Sequence, residues 1–117
     1  MARTTSTMLA LGTSAPPFDL PDFDGQRHSL EEFASSPALL VAFICNHCPF
    51  VQHIRAEFAT FAREYAGRGL AVVAIMSNDL DVYPQDGPDG MRGEAGSLGY
   101  VFPYLVDAGQ QTARAYR

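Results

Sequence analysis

The sequence predicts a small α/β domain built around one strand, helix, strand unit. Two apolar runs without polar alternation, Ala38 to Ile44 and Leu70 to Met76, have the length and composition of buried parallel strands. Between them, apolar residues recur at helical spacing from Phe50 to Tyr65. With 117 residues, the chain is long enough for one hydrophobic core. We therefore expect a single domain over residues 1–117.

The composition is typical of a globular protein that works in water. Hydrophobic residues make up 47% of the chain and charged residues 18%, and the formal net charge is −5. The eight positive residues are arginines spread singly along the chain, so there is no basic patch for nucleic acid. No apolar run approaches a membrane span. Near the N-terminus the apolar stretch Met8 to Leu11 is shorter than the ~7 to 15 apolar residues of a signal peptide. We expect a cytoplasmic protein that binds neither nucleic acid nor membranes.

Ahead of the first long strand, the sequence predicts a small hairpin and a short helix. Phe18 to Leu20 has strand character, and Asp24-Gly25 is a tight-turn signal between two short segments. Ser29 followed by Glu32 matches a capping box. The helix that it predicts runs from Leu30 to about Ala34.

The central helix should begin just after the first long strand. Asn46 is the predicted N-cap, which places Pro49 in the first turn, where its missing N–H is not needed. Gly67 and Gly69 should end the helix. The predicted buried stripe consists of Phe50, Val51, Ile54, Phe58, Phe61, Ala62 and Tyr65.

The segment after the second long strand should contain a loop and then shorter elements. Leu80 to Gly90 is rich in Asp, Gly and Pro, which predicts a solvated connection, with a lip over the cysteines as the alternative. Pro88 suits a helix start, and apolar residues from Met91 onwards fall on one face. Tyr104 to Val106 is a predicted strand, and Gln110 to Arg117 a predicted helix.

The only two cysteines, Cys45 and Cys48, lie where the first long strand becomes a helix. Three residues of separation across one turn bring two Cα atoms within the ~4.4 to 6.8 Å that a disulfide needs. Unpaired N–H groups and the macrodipole at a helix start favour a thiolate, so a lowered thiol pKa is expected. Asn78 and Asp79 follow the next parallel strand and are predicted to form the rim of this site.

Three neighbours are expected to orient the pair or tune its pKa, namely Asn46, His47 and Pro49. A charged His47 would favour the Cys45 thiolate, stabilise the reduced form and make the protein more oxidising. The alternative is that His47 is an exposed residue of the first helical turn. On the first interpretation, replacing His47 by alanine lowers the reduction potential.

The segment Phe43-Ile44-Cys45-Asn46-His47-Cys48-Pro49-Phe50 resembles the active-site segment of the thioredoxin-like superfamily, specifically its redoxin or thiol-antioxidant-like members. Later segments resemble the same subgroup: Ser77-Asn78-Asp79, Tyr83-Pro84, Asp86-Gly87-Pro88 and Phe102-Pro103-Tyr104. The resemblance runs from Leu11 to the last residue. It implies that Cys45 is the attacking thiolate, that Cys48 resolves the mixed disulfide, and that no cofactor is needed.

The resemblance also implies the architecture, a thioredoxin-like βαβ core with an N-terminal hairpin extension. The family continues with a cis-proline loop, a C-terminal strand pair and a last helix, which this chain would lack. The missing strands would pair with Ala38 to Ile44, so this strand would be an exposed apolar edge. We therefore expect an incomplete domain, either a fragment or a homodimer that covers the edge.

The leading function is that of a thiol-disulfide oxidoreductase acting on protein or small-molecule thiols and disulfides. A peroxiredoxin-like thiol peroxidase is one alternative. True peroxiredoxins carry a proline and a threonine or serine just upstream of the attacking cysteine, where this chain has Val41 to Ile44.

A metal-binding module made of Cys45, Cys48, His47 and His53 is the second alternative. Helical geometry points His53 away from Cys48, and a closed structural zinc site needs four ligands. His28 lies in the hairpin region and is expected to be a surface residue. We expect no bound metal.

Overall fold

The centre of the molecule is a three-stranded parallel sheet. In the computed structural model, which describes residues 7–117, its strands are β3 (Ala38–Phe43), β4 (Leu70–Met76) and β5 (Tyr104–Val106), in the order β3-β4-β5. The ends of β4 are those expected from its apolar run. Because successive β4 side chains point to opposite faces, Val73 and Ile75 belong to one core and Val72, Ala74 and Met76 to the other.

Within residues 7–117, three α-helices accompany the sheet. Helix α1 (Pro49–Ala66) connects β3 to β4, α2 (Pro88–Leu98) lies between β4 and β5, and α3 (Gln111–Tyr116) follows β5. The predicted βαβ unit, the strand at Tyr104 and both later helices are therefore confirmed. Over residues 7–117, no helix is both long and apolar enough to cross a membrane.

The predicted hairpin is also confirmed. Strands β1 (Asp19–Pro21) and β2 (Arg27–Ser29) pair antiparallel around a turn in which Gly25 has a φ of 83°. A short 3-10 helix, Leu30–Phe33, follows. Phe18, just ahead of β1, packs on Val73, Ile75 and Leu105, so the hairpin closes one face of the sheet.

The predicted capping box is wrong. Ser29 makes no side-chain hydrogen bond to the short helix, and the Glu32 carboxylate instead lies 3.0 Å from His28 Nδ1. His28 Nε2 lies 3.0 Å from the Asp22 carboxylate. This histidine is half-buried between two acids and not the fully exposed residue that is expected from the sequence. Burial lowers the pKa of His28, but hydrogen bonds and charges from Glu32 and Asp22 outweigh it, and the pKa is raised.

The buried face of α1 is narrower than the apolar stripe predicts. Ala59 and Ala62 are buried, whereas Phe50, Ile54 and Phe61 are exposed over 73%, 51% and 37% of their surface. The helix presents two alanines to its buried face, where small side chains allow close approach. Of the larger apolar side chains, Phe58 packs against the core, whereas Phe50, Ile54 and Phe61 stay largely outside it.

Strand β3 is less buried than an unbroken apolar run predicts. Its interior residues are half-buried, and both Ala38 and Phe43 are exposed. Among the strands formed by residues 7–117, only β4 pairs with β3. The strand that leads to the cysteines is therefore an edge strand, as the implied architecture requires.

Helix α2 is tied to the sheet by a buried carboxylate that helical periodicity does not reveal. Glu94, only 5% exposed, accepts hydrogen bonds from the hydroxyls of Tyr100 at 2.6 Å and Tyr104 at 2.9 Å. Burial and the Glu94 carboxylate together raise the pKa of both tyrosines. This network satisfies every polar atom that the three side chains bury.

Candidate active site

The segment between β3 and α1 leaves the strand but does not yet enter the helix. The N-cap of α1 is Cys48, with Pro49 at the first helical position, so the predicted N-cap Asn46 lies two residues too early. The reason is that residues 46 and 47 form other contacts. The His47 N–H donates to Asp86 Oδ1 at 2.9 Å, and the Asn46 carbonyl accepts from Gln52 Nε2 at 3.0 Å.

Both cysteines are free thiols at one open cavity of about 530 Å³. Cys45 is buried, with 8% of its surface exposed, and Cys48 is half-buried. Asn78, from the end of β4, lines the same cavity, as predicted from the parallel arrangement. The other lining residues are Phe43, Ile44, His47, Val51, Ile75, Ser77, Tyr83, Ala113 and Arg117.

A histidine and a fully buried aspartate lie beside the Cys45 thiol. His47 Nδ1 is hydrogen-bonded to Asp86 Oδ2 and lies 3.6 Å from Cys45 Sγ. Asn78 Nδ2 donates to the same Asp86 oxygen at 2.9 Å. The Asp86 carboxylate thus accepts three hydrogen bonds, and its side chain has no exposed surface.

The ring of His47 is fixed from a second direction by Tyr83. The two rings are stacked, with centroids 4.1 Å apart and an angle of 10° between their planes. Because Nδ1 faces a carboxylate oxygen, this nitrogen carries a hydrogen, in either the neutral or the charged ring. His47 can therefore act on Cys45 only as a hydrogen-bond donor that Asp86 shares, and not as an acceptor of the thiol proton at Nδ1.

The expected lowering of the thiol pKa is wrong for Cys45. Burial raises the pKa of this thiol, and the Asp86 carboxylate raises it further. The N–H of Cys48 and the amide of Asn78 favour the thiolate but do not outweigh those effects. The sequence contains the helix start that stabilises a thiolate, but it does not show the carboxylate that opposes this effect.

The connection from Leu80 to Gly90 is not the simple solvated loop of the leading interpretation. It contains a 3-10 helix, Pro84–Asp86, which carries Asp86 into the protein interior. Asn46 Nδ2 donates to the Gln85 carbonyl at 3.3 Å, and a Cβ on Gly90 would overlap that carbonyl oxygen. This close approach at Gly90 brings Asp86 to the cysteine segment.

Not every predicted site residue reaches the cavity. Asp79 is exposed and accepts a hydrogen bond from the Asp81 N–H at 2.9 Å. It does not line the cysteine cavity but a neighbouring cavity that Asn78 also lines. Asn46 accepts from Arg55 Nη1 at 3.2 Å and braces the segment. His53 is exposed on α1. Sequence reasoning missed Asp86 and Tyr83 as site residues, although both lie in segments that carry the resemblance.

Within residues 7–117, a thiol, an imidazole and a carboxylate come together at this site. The Cys45 sulfur, the His47 Nδ1 and a carboxylate oxygen of Asp86 all lie within 4.8 Å of one another. A thiol with an imidazole and a carboxylate next to it can undergo disulfide exchange, and the same three atoms are metal-ligand types.

Comparison with known proteins gives a family. The model of the AhpC/TSA family matches residues 11–117. No match was found among curated proteins.

Two solved structures are closely similar over nearly the whole chain. A hypothetical protein from Sinorhizobium meliloti is 53% identical, with a TM-score of 0.93 over 97% of this chain and 62% of that one. An uncharacterized conserved protein from Geobacillus kaustophilus is 46% identical, with a TM-score of 0.93 over 99% of this chain and 62% of that one. This chain therefore spans less than two thirds of the length of either relative.

A more distant structure shares the fold. A thiol:disulfide interchange protein of the thioredoxin family from Chlorobium tepidum is 21% identical, with a TM-score of 0.72 over 91% of this chain and 67% of that one. The parallel sheet, the βαβ unit and the cysteines at the strand-to-helix junction agree with this likeness. The fold is thioredoxin-like, and the chain belongs to the AhpC/TSA family of redoxins.

Proposed function

We propose that this chain is a thiol-disulfide oxidoreductase that uses Cys45 as nucleophile and Cys48 as resolving thiol. The observation that carries the proposal is a pair of free thiols three residues apart, at the start of α1 and at one open cavity. Two cysteines three residues apart can bring their Cα atoms within the ~4.4 to 6.8 Å that a disulfide needs. No cofactor is needed, since the two sulfurs hold the electrons that are exchanged.

The reaction consists of two exchanges. The Cys45 thiolate attacks one sulfur of a partner disulfide, the partner S–S bond breaks, and the other partner sulfur leaves as a thiolate that takes a proton from water. The Cys48 thiolate then attacks the Cys45 sulfur and releases the second partner thiol. The partner has gained two electrons and two protons, and the protein has become a Cys45–Cys48 disulfide.

The order of the two cysteines rests on their surroundings. Access alone favours Cys48, because Cys45 is more buried. However, His47 Nδ1, which carries a hydrogen, lies 3.6 Å from the Cys45 sulfur, and the Asn78 amide favours the Cys45 thiolate. A donor beside Cys45 stabilises the charge that this sulfur carries as nucleophile and again as leaving group.

Trapping the mixed disulfide tests this order. With a small aromatic disulfide as substrate, Cys48→Ser should accumulate an adduct on Cys45, since no resolving thiol is left, whereas Cys45→Ser should form little adduct. An adduct that accumulates only on Cys48 would reverse the two roles. Adducts of equal rate on both variants would contradict an assigned order.

A redox titration tests the function itself. Equilibration of the wild-type chain with glutathione mixtures, followed by thiol trapping, should give one two-electron transition, which Cys48→Ala abolishes. His47 and Asp86 should move the potential in opposite directions. His47→Ala leaves Asp86 unopposed and lowers the potential, whereas Asp86→Asn removes a charge that disfavours the thiolate and raises it. Failure to form an intramolecular disulfide would refute the proposal.

The cavity supports thiols and disulfides with apolar neighbours as substrates. Phe43, Ile44, Val51 and Ile75 form its apolar wall, and Arg117 stands at the same cavity. We propose that protein or small-molecule disulfides bind there, and that a homodimer or a further strand covers the edge of β3. Activity that rises with chain concentration, in step with dimer formation, would support the dimer.

Thiol peroxidase activity is a second candidate because the matched family is AhpC/TSA. Here the Cys45 thiolate would attack a peroxide oxygen, release water or an alcohol, and become a sulfenic acid that Cys48 converts to the disulfide. Val41 to Ile44 offer no hydroxyl or proline near the thiol. Consumption of hydrogen peroxide that is lost in Cys45→Ser would favour this candidate over disulfide exchange.

A further inference from the structure

We propose that the reduced site binds zinc through Cys45 Sγ, His47 Nδ1 and a carboxylate oxygen of Asp86. These three atoms lie within 4.8 Å of one another. Thiolate, imidazole and carboxylate are the three ligand types that zinc takes in proteins, and three protein ligands with an exchangeable fourth are typical of open zinc sites. This site differs from a Cys/His module, because its third ligand is a carboxylate 39 residues away from His47.

The distances suit a tetrahedral ion. Zn–S and Zn–N bonds of about 2.3 and 2.0 Å at the tetrahedral angle put sulfur and nitrogen about 3.5 Å apart. The Cys45 Sγ to His47 Nδ1 distance is 3.6 Å. Nδ1 and the Asp86 oxygen now share a hydrogen, so an ion in its place would push these two atoms to about 3.4 Å apart. Asp86 must therefore move away from His47 to complete the site.

The ligands are held by neighbours that are not ligands themselves. Tyr83 stacks on the His47 ring with 4.1 Å between centroids. Asn78 Nδ2 donates to Asp86 Oδ2 at 2.9 Å, and the His47 N–H donates to Oδ1 at 2.9 Å. Such outer contacts orient metal ligands and raise affinity. The fourth position would be taken by water from the adjacent cavity, which both Cys45 and His47 line.

Metal binding and disulfide formation exclude each other at this site. Zinc takes Cys45 as a thiolate, so binding releases the thiol proton and the proton shared by His47 and Asp86. A Cys45–Cys48 disulfide leaves no thiolate to bind. Zinc should therefore protect the reduced form from oxidation, and oxidation should release the ion. The binding itself does not depend on the proposed catalytic function.

Cobalt and zinc titrations of the reduced chain test the site. Under anaerobic conditions Co²⁺ should give tetrahedral d–d bands and a thiolate charge-transfer band, and Zn²⁺ should displace it in one equivalent. Asp86→Asn should lower the affinity more than about 100-fold, since even outer-shell changes lower it 10- to 100-fold. The exposed residues Asp81 and His53 provide matched controls, and Asp81→Asn and His53→Ala should bind like the wild type.

A structural role of Asp86 is separated from ligation by Asn78→Ala. This change removes one hydrogen bond to the Asp86 carboxylate but no ligand. It should cost less affinity than Asp86→Asn, and equal losses would overturn Asp86 as a ligand. Absence of cobalt binding, or unchanged binding in Asp86→Asn, would overturn the site. The glutathione titration in the presence of a chelator tests disulfide exchange separately, so either proposal can fail without the other.

Discussion

Replacing Asp86 by asparagine should destabilise the fold strongly, although the substitution only exchanges one carboxylate oxygen for an NH₂ group. The carboxylate is fully buried and accepts hydrogen bonds from the His47 N–H at 2.9 Å, from His47 Nδ1, and from Asn78 Nδ2 at 2.9 Å. With its remaining oxygen in the place of Oδ2, asparagine keeps two of these three bonds without their charge assistance, and its NH₂ group faces the His47 N–H. One charge-assisted bond of about 1.5–3 kcal/mol is lost and the other two are weakened, so we expect a loss of about 2–4 kcal/mol.

Urea unfolding of the reduced protein measures this loss. With an m-value of about 1.5 kcal/mol per M, the transition midpoint should fall by about 1.3–2.7 M at unchanged m. Asp81→Asn, at an exposed site five residues away, should stay within about 0.5 kcal/mol of the wild type. An Asp86→Asn midpoint as high as that of Asp81→Asn would refute the view that this network fixes the loop.

Three other outcomes follow from burial and charge. Because the pKa of Cys45 is raised, the rate of its alkylation by iodoacetamide in a Cys48→Ser background should have a pH midpoint above about 8.5. Adding Asp86→Asn should lower that midpoint, since the carboxylate contributes to the raised pKa. An unchanged midpoint would exclude the carboxylate as a cause. The pKa of His28 is raised in the folded state, so its stabilisation is complete below about pH 6.5 and is lost as pH rises through the folded-state pKa. Urea midpoints should fall over that window in the wild type but not in His28→Ala. Met91 is fully buried, so Met91→Ala should lower the free energy of unfolding by about 2–5 kcal/mol in chemical denaturation, and a loss below 1 kcal/mol would show that the core refills the space.

The parts of the fold that the sequence reveals are those set by local pattern. The bounds of β4 match its apolar run because that strand is paired on both edges and buried on both faces. Helix α2 begins at Pro88 as predicted, since a proline at the first helical position is a local preference. The start of α2 is thus set by a residue of the helix itself, and the bounds of β4 are set by burial along the whole strand.

The features that could not be predicted are buried carboxylates whose hydrogen-bond partners lie elsewhere in the sequence. Asp86 lies in a segment of Asp, Gly and Pro that suits a solvated loop, and its burial follows from His47, 39 residues earlier. Glu94 is buried because two tyrosine hydroxyls reach it from beyond the end of its helix. A carboxylate is usually exposed, so composition and spacing give no sign of either position.

The open edge of β3 has a consequence for hydrogen exchange. Ala38 and Ile44 donate their N–H groups to the carbonyls of Gly69 and Ile75, so the alternation of a parallel ladder turns the N–H groups of Leu39, Val41 and Phe43 away from β4. In deuterated buffer the even-numbered amides of β3 should exchange slowly and these odd-numbered ones fast. A strand added at this edge, from a second copy or from additional chain, would slow only the odd-numbered set. The exchange rates of the individual β3 amides therefore show whether another strand has paired with the open edge.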